Sequence, residues 1–394
     1  MAISIVAMVQ PKKGKPIPEC VKRSNVTPPV QEIFGEGYDW DELVQSYILG
    51  SYFWGYVPSS LPGGAIAEWV GPFHTIFWAH VITGLMNASC VWAAKTHYVL
   101  LIGARFIIGL CGGLVYPACQ ILIANWAPPS EKGKFVGALM GNTLGTCVTW
   151  PLVGVITELL GWEWGFYVLS IQMAVFCIIF WIVAADSPDK HRWISDEEKN
   201  YILDSHAGSI NRRKGMPPYR QIFCSCPFWI LTIAHFGNLW GLYFQIQGVP
   251  KYLSEVVGFD LKRSGGLGAL PHLMRLFFGM GFGAIADFLK QKGIVSNKFI
   301  RKFFTIFSHI LPGLALISIG FMGCSWIPIV VMLILSMALN GAAVVTNLQN
   351  PQDLAPNFAG TIFGIISFIG GNTGFIAPVV TAAFIREYVS LALQ

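Results

Sequence analysis

The 394-residue chain is 54% hydrophobic and only 12% charged, with a formal net charge of +5. Soluble domains carry about 25% charged residues, so this composition excludes an ordinary water-facing surface. Apolar runs recur that reach the roughly 20 residues needed to cross a bilayer. The basic residues lie in the polar stretches between these runs, where they indicate membrane orientation rather than nucleic-acid binding.

The N-terminal segment, residues 1–9, is apolar but too short to span a membrane, and we interpret it as the remnant of a first helix. Residues 10–42 are predicted to form a luminal or extracellular loop, with a glycosylation sequon at Asn25. Spans follow near 43–62, 73–93, 98–124, 133–157 and 163–185, and then near 226–250, 264–288, 303–323, 326–346 and 359–384.

A polar segment, residues 186–225, separates the two groups of spans, and we call it the central loop. Its basic residues predict that it is cytosolic. The chain then divides into an N-terminal half, 43–185, and a C-terminal half, 226–394, from which the last helix is expected to be missing. The cysteines lie mostly in apolar runs, so no disulfide framework and no metal site are predicted.

An internal repeat supports this division into halves. The sequence Gly64-Ala65-Ile66-Ala67-Glu68 is placed at the end of the first complete span, and Gly283-Ala284-Ile285-Ala286-Asp287 at the end of the seventh. Each run combines small residues with one carboxylate. Two related halves are typical of secondary transporters.

Further motifs extend from the first complete span almost to the C-terminus. They are Gly50-Ser51-Tyr52-Phe53-Trp54-Gly55-Tyr56, Pro62-Gly63-Gly64, Ala104-Arg105 with Gly109 and Gly113, Tyr116-Pro117-Ala118, Trp126-Ala127-Pro128-Pro129, Ser187-Pro188 and Asp353-Leu354-Ala355-Pro356. In order and spacing the chain resembles the major facilitator superfamily. Within it, the chain is similar to the anion:cation symporter family of sialin, the vesicular glutamate transporters and the sodium-dependent phosphate cotransporters.

The resemblance implies an all-α membrane protein: a helical bundle of two pseudo-symmetric halves, with about ten complete transmembrane helices and a partial first helix. It also locates departures from the family. Glutamates that couple transport to protons in the family fall on Ile108 and Gly112 here. An arginine used by glutamate carriers corresponds to Asn238, which argues against a glutamate carrier.

Arg105 is the strongest candidate for substrate binding. A charged side chain at mid-membrane costs about 2.5–3.5 kcal/mol on insertion scales, so it usually faces a cavity or a partner. Its guanidinium can hold a carboxylate or a phosphate through paired hydrogen bonds. The alternative is a structural role, as an ion pair or as a donor to backbone carbonyls.

Polar and aromatic residues on two spans extend this candidate site. Tyr52 and Tyr56 on the first complete span offer hydroxyls and ring faces, and the family resemblance favours both. Asn238 and Tyr243 occupy the corresponding region at the start of the second half, where polar groups line the route between halves. For each of these residues, packing is the competing interpretation.

Arg275 with His272 is a possible additional anion contact, because the family usually has an uncharged residue at the arginine position. The alternative is a tolerated substitution without function. The isolated histidines His80, His235 and His309 are expected to be hydrogen-bonded packing residues. Three glycines at every fourth position, Gly137, Gly141 and Gly145, predict close helix packing and a candidate sliding surface for gating.

The sequence therefore predicts a secondary active transporter of a small anion, inorganic phosphate or organic, that works by alternating access. Sodium or protons are the expected coupling ions, with no other cofactor. The expected location is the plasma membrane or a lysosomal or vesicular membrane, and the oligomeric state stays open. Two alternatives remain: a transport-inactive scaffold, sensor or truncated paralogue, and a carrier of neutral solutes. A membrane-embedded enzyme lacks support, because no paired carboxylates or nucleophile–base arrangement is evident.

Overall fold

The computed structural model describes residues 2–9, 37–128, 141–205, 217–253 and 261–377, together with 131, 135, 138, 139, 259 and 380. These residues form helices joined by turns, as the predicted all-α class requires. The strand-like pairing among them is an isolated bridge between Val9 and Tyr38, which ties the first helix to the segment before the second.

The N-terminal segment, the N-terminal half and the central loop together contribute eight helices to the described part of the chain. They are α1 (Ala2–Met8), α2 (Glu42–Val70), α3 (Pro72–Thr96), α4 (Tyr98–Trp126), α5 (Gly141–Leu160), α6 (Trp162–Val183), α7 (Asp196–Ser205) and α8 (Tyr219–Phe223), with a 3-10 turn at Pro188–Lys190.

The C-terminal half continues with α9 (Cys226–Tyr252), α10 (Leu261–Gln291), α11 (Asn297–Thr305), a π-helical turn (Ile306–Ile310), α12 (Leu311–Ile319) and α13 (Trp326–Asn340). It ends, within the described residues, with a 3-10 turn (Gly341–Val344), α14 (Asn350–Leu354), a 3-10 turn (Pro356–Phe358) and α15 (Ala359–Gly371). The helices α11 and α12 and the π turn form one continuous span.

Eight helical stretches of the described residues are long and apolar enough to cross a membrane. Helices α2 and α9, 29 and 27 residues long, are not among these eight. Both lie where the two halves meet, and a helix that faces the protein interior can carry polar groups that lipid would penalise.

Helix α2 is longer than predicted. It continues past position 62 to Val70, with Pro58 and Pro62 inside it, because neighbouring helices can compensate a proline in a membrane helix. It ends at Gly71, whose φ of 103° favours glycine. The repeated Gly64–Glu68 and Gly283–Asp287 sequences lie in the last turns of α2 and α10, as predicted.

One expectation about the cysteines is wrong. Cys324 is disulfide-bonded, and it lies in the turn between α12 and α13 rather than in an apolar run. The described cysteines of the spans, such as Cys90 and Cys111, are free thiols. A turn residue is accessible to a second chain segment, whereas a thiol buried in a span behaves as a small hydrophobe.

The two halves meet along two lines of contact. Helix α15 of the C-terminal half packs against α2 and α4, and α10 packs against α5. The residues between these contacts come from both halves. The surroundings of their side chains therefore change when one half moves relative to the other.

Candidate functional site

Close packing of α2 on α4 determines where Arg105 lies. Gly109 faces the backbone carbonyl of Tyr52, and Gly113 faces that of Tyr56. A β-carbon at either glycine would collide with these backbone atoms, so only glycine permits this approach. One turn before Gly109, the same face of α4 brings Arg105 against the start of α2.

The guanidinium of Arg105 uses little of its hydrogen-bonding capacity. Its Nε donates to the backbone carbonyl of Ile48 at 2.8 Å, and its central carbon lies 5.9 Å from the centre of the Tyr52 ring. Among the described residues it forms no ion pair and no second hydrogen bond. The predicted carbonyl-donor role is therefore present, while the charge and the paired Nη groups, which could hold an anion, have no partner among the described residues.

Tyr52 and Tyr56 stack on the same face of α2, with ring centres 5.9 Å apart. Tyr56 is 7% exposed and packs against Gly371 of α15, where an added β-carbon would lie 3.1 Å from its ring. The pair therefore extends from the neighbourhood of Arg105 to the C-terminal half.

A cavity of about 130 Å³ adjoins Tyr52 within the N-terminal half. Its lining includes Ile108 and Gly112, the positions where the family resemblance places coupling glutamates, and also His80. A β-carbon on Gly112 would lie 2.6 Å from the Tyr52 hydroxyl. The tyrosine thus occupies space that a glutamate side chain at this position would need.

Helix α9 presents polar groups that have no protein partner in the described part of the chain. Asn238 is 5% exposed, and its Nδ2 has no hydrogen-bond partner. One turn earlier, His235 is 3% exposed, and its Nδ1 also has no partner. On the adjoining α15, the buried Ser367 Oγ lies beside the hydroxyl of Tyr56 on α2. Buried polar groups are normally satisfied, so such a cluster indicates a place for a ligand or water.

Tyr243 lies further along α9 and links the halves. Its ring meets Phe53 of α2 edge-on at 4.9 Å. The sequence identified Tyr243 and Asn238 but assigned His235 a packing role and gave no signal for Ser367. A serine in a helix interior usually donates to its own backbone, so its position on the helix had to come from the fold.

Arg275 and His272 lie on α10 where it faces α5. Arg275 is 4% exposed; its Nε donates to Asn340 Oδ1 at 3.0 Å, and its Nη1 donates to Thr143 Oγ1 at 2.9 Å. His272 meets the Trp150 ring edge-on at 5.2 Å. Thr143 and Trp150 belong to the N-terminal half, so both residues contribute to the contact between halves.

The glycines of α5 do not make the predicted close contacts in this conformation. An added β-carbon at Gly141 or Gly145 would meet no described neighbour within 4 Å. Thr143 and Trp150 supply the face that packs on α10, leaving the two glycines on another side of the helix. Gly137 and the sequon at Asn25 lie outside the described residues.

Hydrogen bonds also join the two halves on the side of the central loop. The Nε2 of Gln352 donates to the carbonyl and the side-chain oxygen of Gln120 at 2.9 and 2.7 Å. Thr361 donates to Glu68 Oε1 at 3.2 Å, and Gly64 of the repeated sequence lies against Gly360. The glutamine pair was not predicted, although a glutamine inside an apolar run was an available signal.

Substituting Gln352 by alanine is expected to weaken this contact between the halves by about 1–2 kcal/mol, because the buried Gln120 oxygens lose their donor. Amide hydrogen exchange in residues 349–355 should rise between five- and thirty-fold. Gln221→Ala, at an exposed glutamine of α8, is the matched control and should change nothing there. Equal exchange in both variants would show that the Gln120–Gln352 bonds do not hold the halves together.

Comparison with known proteins decides the family. Residues 20–378 match the model of the Major Facilitator Superfamily, which is most of the chain. The chain belongs to this superfamily. The similarity to its anion:cation symporter branch, predicted from the motifs, is confirmed by the relatives described next.

Sialin from Ovis aries is 30% identical over 392 residues, covering 98% of this chain and 79% of that protein. Human sialin is 32% identical over 348 residues, covering 88% and 70%. Human vesicular glutamate transporter 2 is 31% identical over 355 residues, covering 89% of this chain. The chain spans 61% of the length of that transporter.

The fold also matches a solved structure of this superfamily. The proton:xylose symporter XylE superposes with a TM-score of 0.65 at 14% identity, covering 99% of this chain and 86% of XylE. At this identity the likeness concerns the fold alone. It confirms the helical bundle of two halves.

Proposed function

We propose that this major facilitator protein carries a small anion, inorganic phosphate or an organic anion, across a membrane by alternating access. The observation that carries the proposal is Arg105, a partly buried guanidinium that has no acidic partner among the described residues and gives one hydrogen bond to a carbonyl. An unpaired cation inside a membrane bundle is costly, and an anion that enters beside it removes that cost.

The neutral groups between the halves support the same substrate class. Asn238 offers unpaired N–H donors, and Ser367 and Tyr56 offer hydroxyls on the facing helices. Carboxylate and phosphate oxygens accept from all of these donors. A substrate held by groups from both halves would stabilise their approach, and its release would follow their separation.

The relatives support a solute carrier rather than an enzyme, and a lysosomal or vesicular membrane as its location. The vesicular transporters are named for glutamate. This chain has Asn238 where the family resemblance places an arginine of glutamate carriers, so glutamate is a weaker candidate than phosphate or another organic anion. Sodium or a proton is the proposed coupling ion.

The test is exchange of radiolabelled solutes by the purified 394-residue chain in lipid vesicles. Phosphate, glutamate, gluconate and the neutral sugar xylose would be compared with protein-free vesicles. We expect saturable exchange of at least one anion and no exchange of xylose. Exchange of xylose alone would favour a neutral-solute carrier, and no exchange by folded protein would favour a transport-inactive scaffold or sensor.

A further inference from the structure

The span formed by α11 and α12 is interrupted by a π-helical turn, Ile306–Ile310. Such turns are rare and occur frequently at functional sites, because they redirect side chains that a regular helix would point elsewhere. This turn presents Ser308, which is 1% exposed, and the partly buried His309 to the neighbouring helices of the C-terminal half.

Both ring nitrogens of His309 are hydrogen-bonded. Nε2 lies 2.7 Å from the backbone carbonyl of Ala234 on α9, and Nδ1 lies 2.7 Å from Ser308 Oγ. A carbonyl can only accept, so Nε2 carries a hydrogen in either charge state. In the neutral ring, Nδ1 is therefore the lone-pair nitrogen, and it accepts the hydroxyl hydrogen of Ser308.

The surroundings also suit the protonated ring. After Nδ1 takes a proton it becomes a donor to Ser308 Oγ. The Ser308 hydroxyl can then turn to the carbonyl of Thr305 or to Thr346 Oγ1, each 3.4 Å away. One hydroxyl rotation therefore satisfies both charge states, and no side chain has to leave its place. His80 and His235 have no such arrangement: the former has one bonded nitrogen, and Nδ1 of the latter is unpaired.

A chain of hydrogen bonds joins this histidine to the contact between the halves. Asn340 donates to the backbone carbonyl of Ser308 at 3.1 Å, and the same amide accepts from Arg275 at 3.0 Å. Arg275 in turn donates to Thr143 of the N-terminal half at 2.9 Å. A charge at His309 is thus connected to a residue that binds across the interface.

The charged and titratable groups around His309 leave the charge that its ring gains on protonation uncompensated. Arg275 on α10 has the same sign as a protonated ring, and His235 is the neighbouring titratable group on α9. The facing residues of α13 and the segment after it, Asn340 and Thr346, are uncharged. On its own span, Arg301 is already paired with Asp353. In the described part of the chain, no carboxylate therefore cancels a charge gained by His309.

We propose that His309 is the proton-binding residue that couples anion transport to a proton gradient, and that Asn340 and Arg275 transmit its charge state to Thr143. The inference rests on the proposed transport function. A proton enters on one side, is held by the lone pair of Nδ1 while the anion is bound, and is released on the other side. The proton is thus bound in the C-terminal half. The positions of the family's coupling glutamates in the N-terminal half are Ile108 and Gly112 here, and neither can bind a proton.

The test separates exchange from accumulation. Vesicles containing the wild-type chain or His309→Gln would be assayed with radiolabelled phosphate, glutamate and gluconate, first for exchange without a pH gradient and then for uptake driven by one. Glutamine can still donate to the Ala234 carbonyl but cannot take up a proton. We expect exchange within twofold of wild type and at least tenfold less gradient-driven accumulation. His74→Gln, at an exposed position of α3, should behave as wild type.

Gradient-driven accumulation by His309→Gln at the wild-type level would overturn the proposal while leaving anion transport intact. Absence of exchange by the wild-type chain would instead overturn the transport function and this inference with it. If His309→Gln does not fold, Ser308→Ala decides. Loss of the hydroxyl removes a hydrogen bond from both forms of the ring, but the charge-assisted bond of the protonated form is the stronger one, so the pH of half-maximal accumulation should fall. An unchanged midpoint would contradict the role of His309.

Discussion

Anion exchange by Arg105→Lys is expected to fall between ten- and a hundred-fold. Arginine can donate from Nε to the Ile48 carbonyl at 2.8 Å and still present two Nη groups in one plane to the substrate. Lysine keeps the charge but offers a single ammonium, which cannot bond the carbonyl and hold the anion through two parallel hydrogen bonds at the same time. One lost charge-assisted hydrogen bond costs about 1.5–3 kcal/mol, and about 1.4 kcal/mol corresponds to a tenfold change.

The measurement is the initial rate of exchange over a range of anion concentrations in lipid vesicles. Arg220→Lys, at an exposed arginine of α8, is the matched control and should retain full activity. Full exchange by Arg105→Lys would show that paired hydrogen bonds do not hold the substrate.

Gly109→Ala is expected to destabilise the protein by about 1–3 kcal/mol or more, as overpacking does in a tightly packed interior. The new methyl group would overlap the Tyr52 carbonyl and lie 3.0 Å from the backbone nitrogen of Tyr56. Helix α2 would have to move away from α4, which also separates Arg105 from Ile48. Both the yield of folded protein and its thermal midpoint in detergent should fall.

Gly103→Ala on the same helix is the control, because an added β-carbon there meets no described atom within 4 Å. That variant should unfold at the wild-type temperature. Equal thermal midpoints for the two alanine variants would contradict the close approach of α2 and α4.

Hydropathy and motifs were sufficient to predict the helical class, because each membrane span must carry its own apolar surface. They were less informative about where helices end. The first complete span was predicted near 43–62, yet α2 continues to Val70. The helix ends at Gly71, which has a positive φ. Nothing in the sequence distinguishes this glycine from the many others.

The candidate site was predictable where a residue is anomalous in lipid, as Arg105 and Asn238 are. It was not predictable where function depends on which way a common residue faces. Gly141 and Gly145 repeat with helical spacing but do not make close contacts, whereas Gly64 and Gly109 do. His309 resembled any other isolated histidine until the π turn placed a carbonyl and a hydroxyl on its two nitrogens.

The most direct test of an anion site beside Arg105 is equilibrium binding of radiolabelled phosphate and gluconate to the purified chain, compared with Arg105→Met. Methionine keeps much of the side-chain volume and removes the charge. We predict saturable binding of one of these anions to the wild-type chain, and at least a tenfold loss of affinity in the folded variant. Equal affinity in the two proteins would contradict the assignment of Arg105 as the counter-charge of the substrate.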